Sequence, residues 1–511
     1  MNKSSTINTK SSFFAKYALI NLLGQVLVVI SGIVCMPILI SSMGTELFGV
    51  LILAWAVTGY FSIFDLGIGR AMTKLISEKL GRRDLDDIPS LVWTGIFFML
   101  LVGLLGTCLL YFFSPLLVKE ALSIPINLQS DTIKAFFLLA FCIPIVVTSS
   151  SLRGILEAYQ RFDLMNYIRI PMGILTFLSP LIVLQFAKNI VFIVASLVVV
   201  RLIEWFVNLL CCLNIIPELR KKITIKKILL KQLVSFGGWI TISNIAGPLI
   251  SYMDRFLIGS LVSLTAVTYY TVPFDLNIRV MVIPGAIVGV LFSAFSATYQ
   301  NNRESSAKMF FTGLKYTFIC VYPIILLITF FASDGLELWL GKEFAIESTI
   351  VLQLLAFGSI ISCLSYIPTA LIQAAGRPDV TGKLHFFELP IYLLSLYLLV
   401  QVYGIEGAAI AFVLRVLVDV IVLLIFSLKL LPNNISAKRL FVFIIGSIPL
   451  TLLPLFINMS ILVKCSFTVL ILGAFIVLVW KVIMDSEERN FIILNVKNKV
   501  FNKKIDSKSL K

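Results

Sequence analysis

Three arginines, Arg201, Arg279 and Arg415, stand deep inside long apolar runs. A guanidinium stays charged and grips a phosphate or carboxylate through two parallel hydrogen bonds. Each has an acidic residue one helical turn away: Glu204 follows Arg201 at i+3, Asp275 precedes Arg279 by four, and Asp419 follows Arg415 at i+4. On a helix these spacings put both charges on one face. Facing lipid, the three arginines would cost on the order of 8–10 kcal/mol together, comparable to a whole folding stability. They must face a partner or water. Two chemistries are open. The pairs neutralise each other in a packed interior, or the arginines line a cationic cavity for an anionic substrate, with Glu204, Asp275 and Asp419 moderating the charge so that the ligand can leave.

A second set of charges sits at the ends of apolar runs. Asp65 and Arg70 follow the second run, Arg161 and Asp163 the fourth, and Arg377 and Asp379 the tenth. They read as latches on helix ends or as a cytoplasmic gate. His385, the single histidine, stands with Glu388 near the start of the eleventh run, more a bystander than a proton relay. There is little here for catalysis. One histidine, no carboxylate cluster and no GxxxxGK[ST] sequence give no hydrolytic, metal or ATP-binding centre. The eight cysteines show no CxxC spacing and nearly all lie in apolar runs, as packing residues do. The chain is expected to be no enzyme and to need no cofactor, with a proton or sodium gradient as the energy source to be considered.

The elements that position these charges follow from composition. Hydrophobic residues make up 59% of the 511 and charged residues 14%, with mean hydropathy +1.01. A soluble chain carries roughly 25% charged residues, so the solvent of most of this one is lipid. That excludes a soluble enzyme, a secreted disulfide scaffold and a disordered protein. Continuous apolar runs, not alternating ones, exclude a membrane β-barrel. At about 20 residues per crossing the runs number fourteen, near 17–41, 47–66, 91–118, 132–152, 167–187, 190–213, 233–253, 265–290, 311–332, 348–372, 384–403, 405–428, 440–457 and 462–484. The fold class is an all-α membrane protein, with twelve spans as the alternative count. Prolines such as Pro37, Pro144, Pro180, Pro323 and Pro368 within the runs kink their helices.

The net charge of +15 would suggest nucleic acid on a soluble protein. Here it sets topology. With the N-terminus in the cytoplasm, 33 of the 42 Lys and Arg fall on the cytoplasmic side and six on the outer side, as cytoplasmic loops require. Arg153 and Arg169 are counted among those cytoplasmic charges, and Arg255 among the outer ones. Both termini are expected inside, and no loop is long enough to fold a soluble domain.

The chain also repeats. Gly154–Asp163 (GILEAYQRFD) matches Ala370–Asp379 (ALIQAAGRPD) at an offset of 216, with Ala, Arg and Asp identical in type. The Arg–acid pairs of the sixth and twelfth runs repeat at nearly the same offset. Two parallel six-helix lobes are expected: 1–213, then a basic cytoplasmic linker 214–231, then 232–430, with two added spans in 431–485 and a basic tail 486–511.

The segments Phe64–Ala71 (FDLGIGRA), Gly154–Asp163, Asp254–Gly259 (DRFLIG) and Tyr269–Tyr270, in this order, resemble the Wzx-type polysaccharide flippases. These belong to the multidrug/oligosaccharidyl-lipid/polysaccharide exporter superfamily, with the MATE drug exporters and the lipid II flippases. The resemblance covers nearly the whole chain. It implies a V-shaped MATE-like bundle of two lobes in a bacterial inner membrane. It also implies export of an undecaprenyl-pyrophosphate-linked oligosaccharide such as an O-antigen unit, with membrane lipid and other polysaccharide-assembly proteins as partners and no nucleic acid. A cation-coupled multidrug exporter is the nearest alternative, but it would want membrane acids without buried arginines. A membrane glycosyltransferase or polymerase would want a sizeable catalytic loop.

Overall fold

The computed structural model describes residues 11–61, 68–82, 84–122, 124–221, 223–231, 233, 252–299, 302–432, 438–457, 460–484 and 488–489. Among them every regular element is helical. The first six are α1 (Ser11–Tyr60), α2 (Ile68–Arg82), α3 (Ile88–Leu116), α4 (Ile126–Ala158), α5 (Phe162–Leu184) and α6 (Ile190–Ile215). There follow α7 (252–261), α8 (Leu264–Ile278), α9 (Val282–Thr298), α10 (Arg303–Phe330), α11 (Ala332–Leu340) and α12 (Lys342–Ala374). The last are α13 (Pro378–Leu430), α14 (Lys438–Ser447), α15 (Leu453–Phe456) and α16 (Ile461–Leu478).

Two of these helices are too long for one crossing. α1 has 50 residues and α13 has 53, about 75–80 Å at 1.5 Å per residue, against about 30 Å of hydrocarbon. Each is broken by one glycine. Gly44 has φ 81° and ψ 161°, and Gly404 has φ 57° and ψ −133°, conformations open to a residue without Cβ. The breaks fall between the expected runs 17–41 and 47–66, and between 384–403 and 405–428. Eleven helices among the described residues are long and apolar enough to cross a membrane. Taken apart at their glycines, α1 and α13 bring the matched runs to thirteen. The remaining run, 233–253, lies almost wholly outside the described residues. The chain is an all-α, multi-pass membrane protein.

By its contacts the chain forms two compact units, Met1–Val272 with His385–Ala408, and Pro273–Leu384 with Ala409–Lys511. In the first, α4 packs against α3, α6 and α2 and is the most buried span. In the second, α12 packs against α9, α10 and α11 and is 72% buried. These two central helices are the ones related by the 216-residue offset.

Their C-terminal corners are the same structure. After α4 the amides of Gln160 and Arg161 donate to the carbonyls of Glu157 and Leu156. After α12 the amides of Gly376 and Arg377 donate to Gln373 and Ile372. Both are Schellman caps with a left-handed residue after the cap: Gly376 at φ 79° and Gln160 at φ 54°. Gln160 is the one non-glycine with positive φ among the described residues, and a side chain there is strained. Gln160→Gly should therefore stabilise by up to about 1 kcal/mol. A higher thermal midpoint in detergent is expected; a lower one would mean the glutamine side chain holds the corner.

Within the second unit the last spans pack on α10 through aromatic rings. Phe475 of α16 stacks on Tyr322 of α10 at 4.6 Å and on Phe443 of α14 at 5.4 Å, with Phe318 at 6.1 Å. Lipid tails are as apolar as this interface, so the rings hold by packing, not by transfer from water. Phe475→Ala should lose the cavity part of the usual phenylalanine cost, about 2 kcal/mol, and make the segment after residue 431 the first to be clipped in limited proteolysis.

The basic linker is no free tether. Trp93 Nε1 donates to the Leu219 carbonyl at 3.2 Å, the Ser90 and Thr224 hydroxyls lie 2.7 Å apart, and the Lys226 amide donates to Thr94 Oγ1 at 3.1 Å. Lys226 Nζ pairs with Asp87 at 2.6 Å. That hydrogen bond and charge, with Lys79 adding to it, hold the Asp87 carboxyl below its ordinary 3.8. A depressed carboxylate pKa contributes stability above the ordinary value and loses it as pH falls through the depressed one. The docked linker should resist proteolysis from neutral pH to 5 and open to pepsin only below about pH 4.

Candidate functional site

The central charges of the first unit form a triad between two spans. Glu204 on α6 is buried, and its carboxylate accepts from two guanidiniums, Arg201 at 2.7 Å and Arg153 of α4 at 3.1 Å. The arginine side chains are one-third and nearly one-half exposed, at 33% and 45%. Each keeps donors beyond those spent on Glu204, since a guanidinium carries five. The helices are locked around the triad. Trp205 Nε1 donates to Thr148 Oγ1 at 2.9 Å, and Asn208 Nδ2 donates to the Glu204 carbonyl at 2.8 Å. Two guanidiniums against one carboxylate leave one positive charge inside membrane-crossing helices.

Arg153 corrects the sequence reading, which put it in a loop. The run of 132–152 ends too early, because α4 continues to Ala158, and Arg153 is satisfied there by Glu204 from 51 residues away. One signal was available. The position matching Arg153 in the repeat is Thr369, so Arg153 is no part of the shared corner and needs its own explanation.

The other two expected sites fare differently. Arg415 and Asp419 are both half-buried on α13, and the Arg415 guanidinium lies over the Phe412 ring at 5.7 Å. Phe412 itself meets Phe274 edge-on at 5.9 Å. Arg279 is exposed. It opens a short 3-10 turn, Arg279–Met281, that joins α8 to α9. None of the ion pairs found among the described residues joins it to Asp275.

Arg255 was expected in an outer loop but is buried within α7, beside buried Asp254, with its guanidinium 5.1 Å from the Tyr252 ring. Fully buried Tyr270 interacts electrostatically with Asp254, Tyr392 and Arg255. Residues quoted for the sequence resemblance thus converge on one buried polar cluster in the first unit.

A profile described as "Polysaccharide biosynthesis protein" matches residues 14–299. A Shigella flexneri protein named "Putative O-antigen transporter" is 30% identical over 403 residues, 79% of this chain and 95% of that one. The chain belongs to the polysaccharide biosynthesis protein family. Solved structures of the exporter superfamily share its fold. The lipid II flippase MurJ, in an inward closed conformation, has a TM-score of 0.72 at 14% identity, covering 91% of this chain and 99% of that one. An inward-facing MATE multidrug transporter has a TM-score of 0.69 at 15% identity, covering 80% and 94%.

In this member of the polysaccharide biosynthesis family the expected gate residues form local corners. Arg161 clasps Asp163 at 2.8 Å in the first unit, and Arg377 clasps Asp379 at 3.0 Å in the second. Each arginine sits just before the helix that its aspartate opens. His385 Nδ1 lies 3.2 Å from the buried Glu388. Asp65 and the side chain of Arg70 lie outside the described residues.

Proposed function

We propose that this protein is a flippase carrying an undecaprenyl-pyrophosphate-linked oligosaccharide, such as an O-antigen repeat unit, from the cytoplasmic to the periplasmic face of a bacterial inner membrane. The Arg153–Glu204–Arg201 triad carries this reading. Excess positive charge held by two spans suits a pyrophosphate and would repel the organic cations of drug exporters. The names of the Shigella flexneri O-antigen transporter and of the lipid II flippase support the substrate class. The MATE likeness is one of fold.

In this reading the protein works by alternating access, and Arg415 and Arg279 bind anionic substrate as Arg201 and Arg153 do. Asp275 and Asp419 moderate their charge, while the corners at Arg161–Asp163 and Arg377–Asp379, with Asp65 and Arg70, form the cytoplasmic gate. Both termini and the linker face the cytoplasm in this reading, because the Lys and Arg outside the spans remain heavily concentrated on that side once Arg153 and Arg255 are set aside. No cofactor is needed in this reading, and a proton or sodium gradient is the energy source to be tested. In a background without native cysteines, Lys227→Cys should label from the cytoplasmic face and Lys342→Cys from the outside; labelling of both from outside would overturn the topology. The function is tested by complementation of strains that lack their own flippase and make different glycans. Restored surface glycan in at least one is expected. Failure in every strain despite normal membrane levels would contradict the reading.

A further inference from the structure

The linker has an inner and an outer face, and the outer face is left unexplained by its docking onto α3. Leu219, Leu229 and Leu233 turn inward and are buried. Residues 223–226 are non-helical, and Thr224 is held inward by Ser90, so Ile223 and Ile225 on either side of it point outward. They are 64% and 49% exposed, and Ile228 in the following helical turn is 70% exposed. Lys221, Lys227 and Lys231 stand exposed around them and join none of the ion pairs found among the described residues. Residues 217–231 carry six basic side chains against one acid, Glu218.

Position selects the partner. The segment begins where α6 ends at Ile215 and lies along the first turns of α3, over Asp87–Thr94. Both are ends of membrane-crossing helices, so this surface sits at the level of the headgroups. Isoleucines interleaved with unpaired lysines are the composition of elements that lie in an acidic membrane surface.

We propose that the outer face of residues 223–231, together with Lys221, is a binding surface for anionic lipid headgroups. Ile223, Ile225 and Ile228 enter the edge of the acyl region, and Lys221, Lys227 and Lys231 take the phosphates. Lys226 is kept for Asp87, so the strap stays fixed to the first unit while it grips the leaflet. The inference is independent of the cargo proposed above.

The test is hydrogen exchange of the full-length protein in nanodiscs of phosphatidylcholine, with and without phosphatidylglycerol. The anionic lipid should slow exchange across 221–231 by at least about tenfold, since each lysine near an anionic surface contributes about 1 kcal/mol. The corner at 159–163 should be unchanged and serves as the internal control. The triple variant Lys221→Gln, Lys227→Gln, Lys231→Gln should lose the lipid dependence but keep the exchange seen in phosphatidylcholine, because Lys226 still docks. Ile223→Ser with Ile225→Ser and Ile228→Ser should exchange faster in both lipids. Equal exchange of wild type in the two lipids would overturn the proposal, as would protection that arises only on adding a soluble protein fraction.

Discussion

Glu204→Ala should remove most of the folded protein from the membrane. The substitution leaves Arg153 and Arg201 facing each other without the carboxylate that both now grip at 3.1 and 2.7 Å. Removing one partner of a buried pair costs about 3–5 kcal/mol. Here the partly exposed arginines can turn toward water, so the lower end of that range applies. Glu204→Gln keeps an acceptor and should be milder. Removing the stranded guanidiniums should restore folding: Glu204→Ala combined with Arg153→Met and Arg201→Met should insert at near wild-type levels. Membrane level and thermal midpoint should be measured beside glycan export. A Glu204→Ala protein with unchanged midpoint would mean that the carboxylate has little structural part.

The same triple variant, folded but without guanidiniums, should be inactive in export. Arg201→Ala or Arg153→Ala alone should lower export at least tenfold, about 1.4 kcal/mol, within the range of one charge-assisted hydrogen bond. Lysine at either position keeps the charge, loses the fork and should recover part of the rate. If the triad were only a structural pair, the electroneutral triple variant would export normally. Arg415→Ala with Asp419→Ala makes the matching test in the second unit. A fully active, normally expressed double variant would remove Arg415 from the site.

The fold was legible because lipid imposes a simple rule, that a span is a long apolar run. The rule found even the breaks inside α1 and α13, since the stretches around Gly44 and Gly404 interrupt the apolar runs. The corner repeat was legible as well, because a Schellman cap followed by an Arg–Asp clasp is written in ten adjacent residues. What sequence could not supply were partners from far along the chain. Arg153 looks like a loop charge until Glu204 is seen opposite it. The linker looks like a tether until Ser90, Trp93 and Thr94 are found holding it. Arg279 shows the converse. Its spacing from Asp275 is helical, yet the side chain is exposed and starts a 3-10 turn, neither of which the spacing announces.

Transport of a lipid-linked glycan by this chain can be measured with purified protein in sealed proteoliposomes. Undecaprenyl-pyrophosphate-linked oligosaccharide is loaded into the inner leaflet, and its arrival outside is read with a membrane-impermeant glycan-modifying enzyme. Wild type should expose the glycan many times faster than protein-free vesicles, and Arg201→Ala in equal amount should fall back toward the vesicle rate. Equal rates with and without the protein, under both proton and sodium gradients, would contradict it.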